Sequence, residues 1–351
     1  MGPIKLALSY NDVLLVPQYS EISSRGEVDL STQIAPGINL KIPLIAANMD
    51  TVTGVEMAVA MYKLGGMAFI GRFDPAKIQA DKVAKIKKKG AESIGVIGVK
   101  DDYMNRAEML LKAGSLGLHL DIAHAHAAHG IKVIKDVKKK YPKVPVIAGT
   151  VASYQGAYDL LEAGADTLKV GIGAGSICIT RVATGHGVPQ ITAVMEAVRA
   201  KNKFKNRFII ADAGAANSGD IVKVLAAGAS AYEGGSLFAG TDETPGRIIN
   251  KNGIFYKEYN GSTSPEEKVR QLKKDATNKK PHYAIHVEGV EAMVKYKGPL
   301  NEVVDSLTAG IKSGYSYSGA RNIKELWKKA EFIQITSAGF NESKSHDVIV
   351  R

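Results

Sequence analysis

The sequence predicts a single α/β domain built as a TIM (β/α)8 barrel, and three observations carry that expectation. Eight short apolar runs rich in β-branched residues recur along the chain. Segments with apolar residues at helical spacing separate them, so strand and helix alternate through most of the length. The tripeptide Ala-Gly-Ala closes two of these helices, at 163–165 and 227–229, as a C-cap leading into the next strand. Eight such units describe a closed barrel better than an open sheet, and 351 residues suit one barrel domain.

In order, the strands are expected at 42–47, 66–70, 93–99, 116–121, 144–148, 167–170, 207–211 and 230–234. Helices are expected at 54–64, 103–113, 128–140, 157–163, 190–202 and 218–226, with a closing pair at 301–313 and 323–329. Residues just after each strand then share one rim, where chemistry concentrates in this fold. Those rim segments are 48–51, Gly71-Arg72, 121–126, the loop after 170, 212–215 and 234–236. A weakly periodic excursion over 241–297 is too long for a connector and is expected to form a mobile lid over the barrel mouth. The tail comprises 331–351.

Composition excludes several classes. A hydrophobic fraction of 45% supports a large core. No apolar run approaches the roughly twenty residues of a membrane span, and the start lacks a secretory pattern. One cysteine fits a reducing cytosol. The net charge of +11 invites a nucleic-acid reading. Its excess lies in dispersed runs such as Lys87-Lys88-Lys89, Lys138-Lys139-Lys140, Lys273-Lys274 and Lys279-Lys280, which read as solvated helix faces.

The lone cysteine, Cys178, lies in GIGAGSICITRVATGHGVPQ, directly after the sixth expected strand. Gly171, Gly173 and Gly175 permit positive φ and close approach of a ligand or ion. Such a loop turns several amides into one concavity suited to phosphate, with Ser176 adding a hydroxyl. Thr180 and Arg181 follow with a proton-handling hydroxyl and a fixed charge. Cys178 reads as a nucleophile in electropositive surroundings, against the alternative of a small buried hydrophobe.

The segments SYNDVLLVPQYSEI, IPLIAANMDTVTGVEMA, KVGIGAGSICITR, IIADAGAANSGDI and GGSLFAGTDETPG resemble, in order and spacing, the IMP dehydrogenase/GMP reductase family over nearly the whole chain. The resemblance implies a TIM-barrel enzyme acting on a purine nucleotide monophosphate with a nicotinamide cofactor. It implies that Cys178 attacks purine C2 and that Ser176, Gly214, Gly235 and Ser236 cradle the phosphate. Asp212 would bind the ribose hydroxyls, Met49 would pack on the base, and Ser262 and Gly289 would complete the nucleotide site. Arg72, Asp121 and Ala123 would face the cofactor. The carbonyls of Gly173, Gly175 and Cys178 would hold a monovalent cation, potassium, and the assembly would be a homotetramer. The chain departs from the family pattern at Thr150, Ala174, Ala213, Ala215 and Glu233. Its tail, ITSAGFNESKSHDV, is similar to dehydrogenases, where it reaches a neighbouring subunit.

Two opposite activities exist in such a family, and the resemblance favours the reductase, which converts GMP to IMP with NADPH. Dehydrogenases usually carry a regulatory CBS pair after the second barrel unit, whereas here only 74–92 separates the strands. Their lid carries an Arg-Tyr pair that activates water, and NKKPHYAIHVEG has no arginine. Lys279 or Lys280 does not share arginine's geometry. Alanine at 123 stands where dehydrogenases place serine. Glu288 would then pair with Thr180 to protonate the departing amine. The alternatives are a dehydrogenase forming XMP from IMP and NAD, and a non-catalytic nucleotide-binding relative.

Overall fold

The computed structural model describes residues 4–100, 102–274, 287–345 and 348. Eight parallel strands close a barrel. They are β1 (Leu44–Ala46), β2 (Met67–Ile70), β3 (Ile94–Ile97), β4 (Leu118–Asp121), β5 (Val146–Val151), β6 (Thr167–Val170), β7 (Phe208–Asp212) and β8 (Ala231–Gly234). Each pairs with its sequence neighbour, and β8 closes on β1 through Tyr232 opposite Leu44 and Gly234 opposite Ala46. All eight expected strands are present, mostly trimmed at their starts. Strand β5 runs three residues past its expected end, because Thr150 and Val151 stay buried against β4 and β6.

Helices wrap the outside. The helix at Tyr154–Glu162 begins earlier than expected because Ser153 caps it, accepting from the Gly156 amide at 3.2 Å. The closing helix reaches from Leu300 to Tyr317, past the expected end. A further helix, Ala76–Lys88, packs between β2 and β3 and carries the first lysine run on its exposed face.

The barrel interior changes character along its axis, and that change positions the site. The lower layers are apolar: Ile45, Met67, Phe69, Ile94, Val96 and Ile210 are almost wholly buried in one cluster. A hairpin of Thr32–Ala35 and Ile38–Leu40 plugs the bottom with Ile34 and Ile38. Thr167 fixes it by donating to the Ile34 carbonyl at 2.6 Å. Above these layers the inward positions become polar, with Lys169, Glu233, His119, Asp121 and Asp212 meeting at the strands' C-terminal ends.

The excursion after β8 differs from the irregular lid expected. Ile249–Lys251, Ile254–Asn260 and Glu291–Lys295 form an antiparallel sheet, with the helix Pro265–Lys274 between its second and third strands in sequence. The alternation along Ile254–Asn260, exposed at its start and buried at Tyr259 and Asn260, is what holds one end to the barrel. Lys257, inside that strand, donates to the carbonyls of Thr241 and Thr244 and ties the sheet to the segment after β8. Residues 275–286, with Lys279 and Lys280, lie outside the described residues, as do His346 and Asp347 of the tail. Phe332–Gln334 of the tail pairs within its own chain, antiparallel to Val13–Leu15. Among the described residues, no helix is long and apolar enough to cross a membrane.

Candidate active site

A cavity opens over the polar end of the barrel, between the β6 loop and the segment 259–263 with 288–289. Cys178 lies on its wall, half-buried. The loop is set by backbone pairing: Cys178 N–H donates to Gly175 O at 3.1 Å, Ile179 N–H to Glu288 O at 2.9 Å and Val290 N–H to Ile177 O at 3.1 Å. These bonds stitch 175–180 to 288–290 as a short antiparallel bridge. They bring three side chains into line. The Cys178 thiol sits 3.2 Å from the Thr180 hydroxyl, which lies 2.6 Å from the Glu288 carboxylate. A thiol, a hydroxyl and a carboxylate in hydrogen-bond sequence have the geometry to pass a proton.

The cavity floor is a charged cluster around Lys169. Its ammonium lies 3.3 Å from Asp121, 3.3 Å from Asp212 and 3.0 Å from Glu233, and donates to Asn48 at 3.3 Å. Burial alone would lower the Lys169 pKa, but the three carboxyls override it and hold it well above the ordinary lysine value. Burial likewise opposes ionisation of Asp121, yet Lys169, with Asn48 donating at 2.7 Å, keeps that carboxyl below its usual range. Asp212 and Glu233 fare differently. Burial raises both, and Lys169 offsets it only in part because the other carboxylates raise them further. His119 beneath them is fully buried, and burial lowers its pKa to about 3, so its ring is neutral.

Of the expected phosphate residues, Gly235 lines the cavity beside Tyr259, a residue the sequence did not single out, whereas Ser176, Gly214 and Ser236 lie outside that lining. The Tyr259 hydroxyl lies beside Ser176 and Ser236. Gly235 lies so close that a Cβ there would stand 2.6 Å from that hydroxyl and 3.0 Å from the Met49 sulfur. Gly214, at φ +89°, sits against Ala174 and Tyr10, whose hydroxyl donates to Ala213 O at 2.8 Å. Ala213 itself is left-handed at φ +66°, a conformation that explains why glycine suits that position. Met49, Asp212, Ser262 and Gly289 line the same cavity.

On the opposite side stand Arg72, Asp121 and Ala123. Arg72 Nε donates to the Asp121 carbonyl at 3.1 Å, and the Thr150 hydroxyl donates to the Ala123 carbonyl at 2.8 Å. An adjoining pocket shares Ala123, Thr180 and Glu288 with the first and adds His124, Ser153 and His186. Two cavities thus meet at the proton path.

The expected cation residues fit less well. The Gly175 carbonyl already accepts the Cys178 amide, and a Cβ on Gly173 would lie 3.1 Å from Arg181 Nε. Three carbonyls beside a guanidinium do not by themselves make the oxygen shell a hard cation takes. Among the described residues, no cluster of histidine, cysteine, aspartate or glutamate is arranged to hold a metal.

The sequence reading missed Lys169, Asn48, His119, Tyr10 and Tyr259. Lys169 and His119 had a legible signal, being polar side chains inside otherwise apolar strands. Tyr259 had none, because it arrives from the excursion.

The model of the IMP dehydrogenase/GMP reductase domain matches residues 7–346. An inosine-5'-monophosphate dehydrogenase of Nitrosopumilus maritimus is 34% identical, over 99% of this chain and 99% of its own. One from Cryptosporidium parvum is 38% identical over 97% of this chain and 95% of its own. A crystal structure of a GMP reductase cysteine-to-alanine variant from Trypanosoma brucei, in complex with guanosine 5'-monophosphate, superposes with a TM-score of 0.92 at 29% identity, covering 99% of both chains. With a cysteine-bearing glycine loop on a closed barrel and likeness along its whole length, the chain belongs to the IMP dehydrogenase/GMP reductase family.

Proposed function

We propose that the protein is a GMP reductase, removing the C2 amine of GMP as ammonia and leaving IMP. The observation that carries the reading is the line of Cys178, Thr180 and Glu288. The thiol proton passes through the Thr180 hydroxyl to Glu288 as sulfur bonds to C2. Glu288 returns the proton by the same path to the amine, the C2–N bond breaks, and ammonia leaves a thioimidate on Cys178. The nicotinamide cofactor, when bound, supplies a hydride to C2. The C2–S bond then breaks with its electron pair on sulfur, which takes up a proton, so GMP, one hydride and one proton give IMP and ammonia while the thiol is restored.

Asp212, held by Lys169, is an acceptor for the ribose diol, and Ser176, Gly235, Ser236 and Tyr259 offer donors to the phosphate. Arg72, Asp121 and Ala123 would hold the cofactor, supported by the two cavities that join at Thr180 and Glu288. The excursion over 241–297 would serve as the lid of a single catalytic domain, supported by Tyr259 within it. NADPH as donor, a homotetramer and a cytoplasmic location rest on the resemblance and the single cysteine.

A second reading, IMP dehydrogenase, is favoured by the names of both curated relatives. The short connection at 74–92 does not separate the two activities: the Cryptosporidium dehydrogenase aligns over only 389 positions, whereas the Nitrosopumilus alignment needs 473 for nearly the same share of this chain. Purified protein with GMP and NADPH should oxidise the cofactor and release ammonia, whereas IMP with NAD should give little XMP. Sustained XMP formation overturns the reductase in favour of the dehydrogenase.

A further inference from the structure

Glu233 is an inward carboxyl at the barrel mouth that the proposed mechanism does not use. It is wholly buried at the end of β8, directly opposite Asp212 on β7. Its Oε1 lies 3.0 Å from Lys169, but its Oε2 is buried without any hydrogen-bond partner. A carboxylate oxygen left bare in such a place is costly, whereas a carboxylic acid carries one charge less.

The groups around Glu233 decide which form it takes. Lys169 on β6 is the single cation in direct contact, and it is already shared with Asp121 and Asp212. His119 on β4 is neutral, and Arg72 donates to the Asp121 carbonyl. From β1 the neighbours are uncharged, Ile45 opposite Glu233 and Asn48 beyond it on Lys169. The nearby phenols, Tyr10, Tyr232 and Tyr259, have their pKa values raised, chiefly by burial. Three carboxyls therefore face one lysine.

We infer that Glu233 is a proton-carrying positioning residue beneath the nucleotide: it and Asp212 hold one proton between them, and a bound ribose diol keeps that proton on Glu233 so that Asp212 accepts as a carboxylate. Burial first, then the Asp212 and Asp121 charges, push the Glu233 carboxyl up to about 8 against the pull of Lys169. Below that pH the floor carries two carboxylates against one ammonium. Above it a third negative charge draws Lys169 away from Asp212 and repels an anionic nucleotide. The inference deepens the proposed nucleotide site and rests on it.

Infrared spectroscopy of the unliganded protein provides one arm of the test. The native protein should show a carboxylic acid carbonyl band near neutral pH that disappears as pH rises past about 8, and Glu233→Gln should lack it. The second arm is calorimetric binding of GMP from about pH 7 to about pH 9. Native affinity should fall by up to about tenfold per pH unit above the transition, because one pKa unit is a factor of ten. Glu233→Gln, which is never charged, should lose that alkaline limb. Absence of the acid band in native protein, or an alkaline limb of equal size in the variant, overturns the inference. Failure of native protein to bind GMP at any pH would instead count against the nucleotide site, since the infrared arm needs no ligand.

Discussion

Replacing Thr180 with valine tests the proton path with the least disturbance to the fold. The substitution keeps the β-branched shape and exchanges a hydroxyl for a methyl. The scaffold around it does not depend on that hydroxyl, because Ile179 N–H to Glu288 O and Val290 N–H to Ile177 O are backbone bonds. What is lost is the only hydroxyl described within reach of both the Cys178 thiol, at 3.2 Å, and the Glu288 carboxylate, at 2.6 Å. Thiol and carboxylate then have no intermediary, so both proton transfers of the deamination half must find another route. General acid–base catalysis contributes roughly 10²- to 10⁴-fold, which at about 1.4 kcal/mol per decade is about 3–5 kcal/mol of barrier. GMP-dependent oxidation of NADPH, followed by absorbance, should fall by that factor while calorimetric affinity for GMP changes little. Glu288→Gln should fall comparably, and the double variant should be scarcely worse than either single one, since all three break one path. Turnover in Thr180→Val within tenfold of native, or losses that multiply in the double variant, would refute the path.

Three further outcomes are expected. Cys178→Ala should abolish turnover yet bind GMP, because the ribose and phosphate partners lie elsewhere; turnover that survives would eliminate the covalent route. Guanosine should bind orders of magnitude more weakly than GMP, since each charge-assisted hydrogen bond lost costs about 1.5–3 kcal/mol, and matching calorimetric affinities would disprove the donor set around Tyr259. Lys169→Met should destabilise the fold by about 3–5 kcal/mol, the cost of breaking a buried ion cluster. Its sign with pH follows from the carboxyls: without Lys169, Asp121, Asp212 and Glu233 titrate higher in the folded than in the unfolded chain. The folded state then binds more protons above pH ~4, and stability falls as pH rises. Denaturant midpoints of native and variant protein that differ equally at acid and neutral pH would contradict this.

Much of this protein was written in its local sequence. The eight strands were legible because each is an apolar, β-branched run ended by a turn, and burial inside a barrel requires that composition over every short strand. Cys178 and Thr180 were legible because a glycine-dense loop after a strand marks the rim. Asp212 and Arg72 followed from rim position and resemblance.

Tertiary structure decided the rest. The pairing of Glu288 with Thr180, 108 residues away in sequence, was implied by resemblance alone, and the bridge between 175–180 and 288–290 is what brings the two side chains together. Tyr259 comes to Ser176 and Ser236 because the excursion folds as a sheet, whose pairing no local pattern announced. Glu233 alone reads as a misplaced charge beside a phosphate loop. The barrel's curvature turns it inward, onto Lys169 beside Asp121 and Asp212, so that carboxyls from three strands share one cation on a fourth. Closure brings those strand ends together around one axis, and the charge balance there belongs to the closed ring, which no single strand contains.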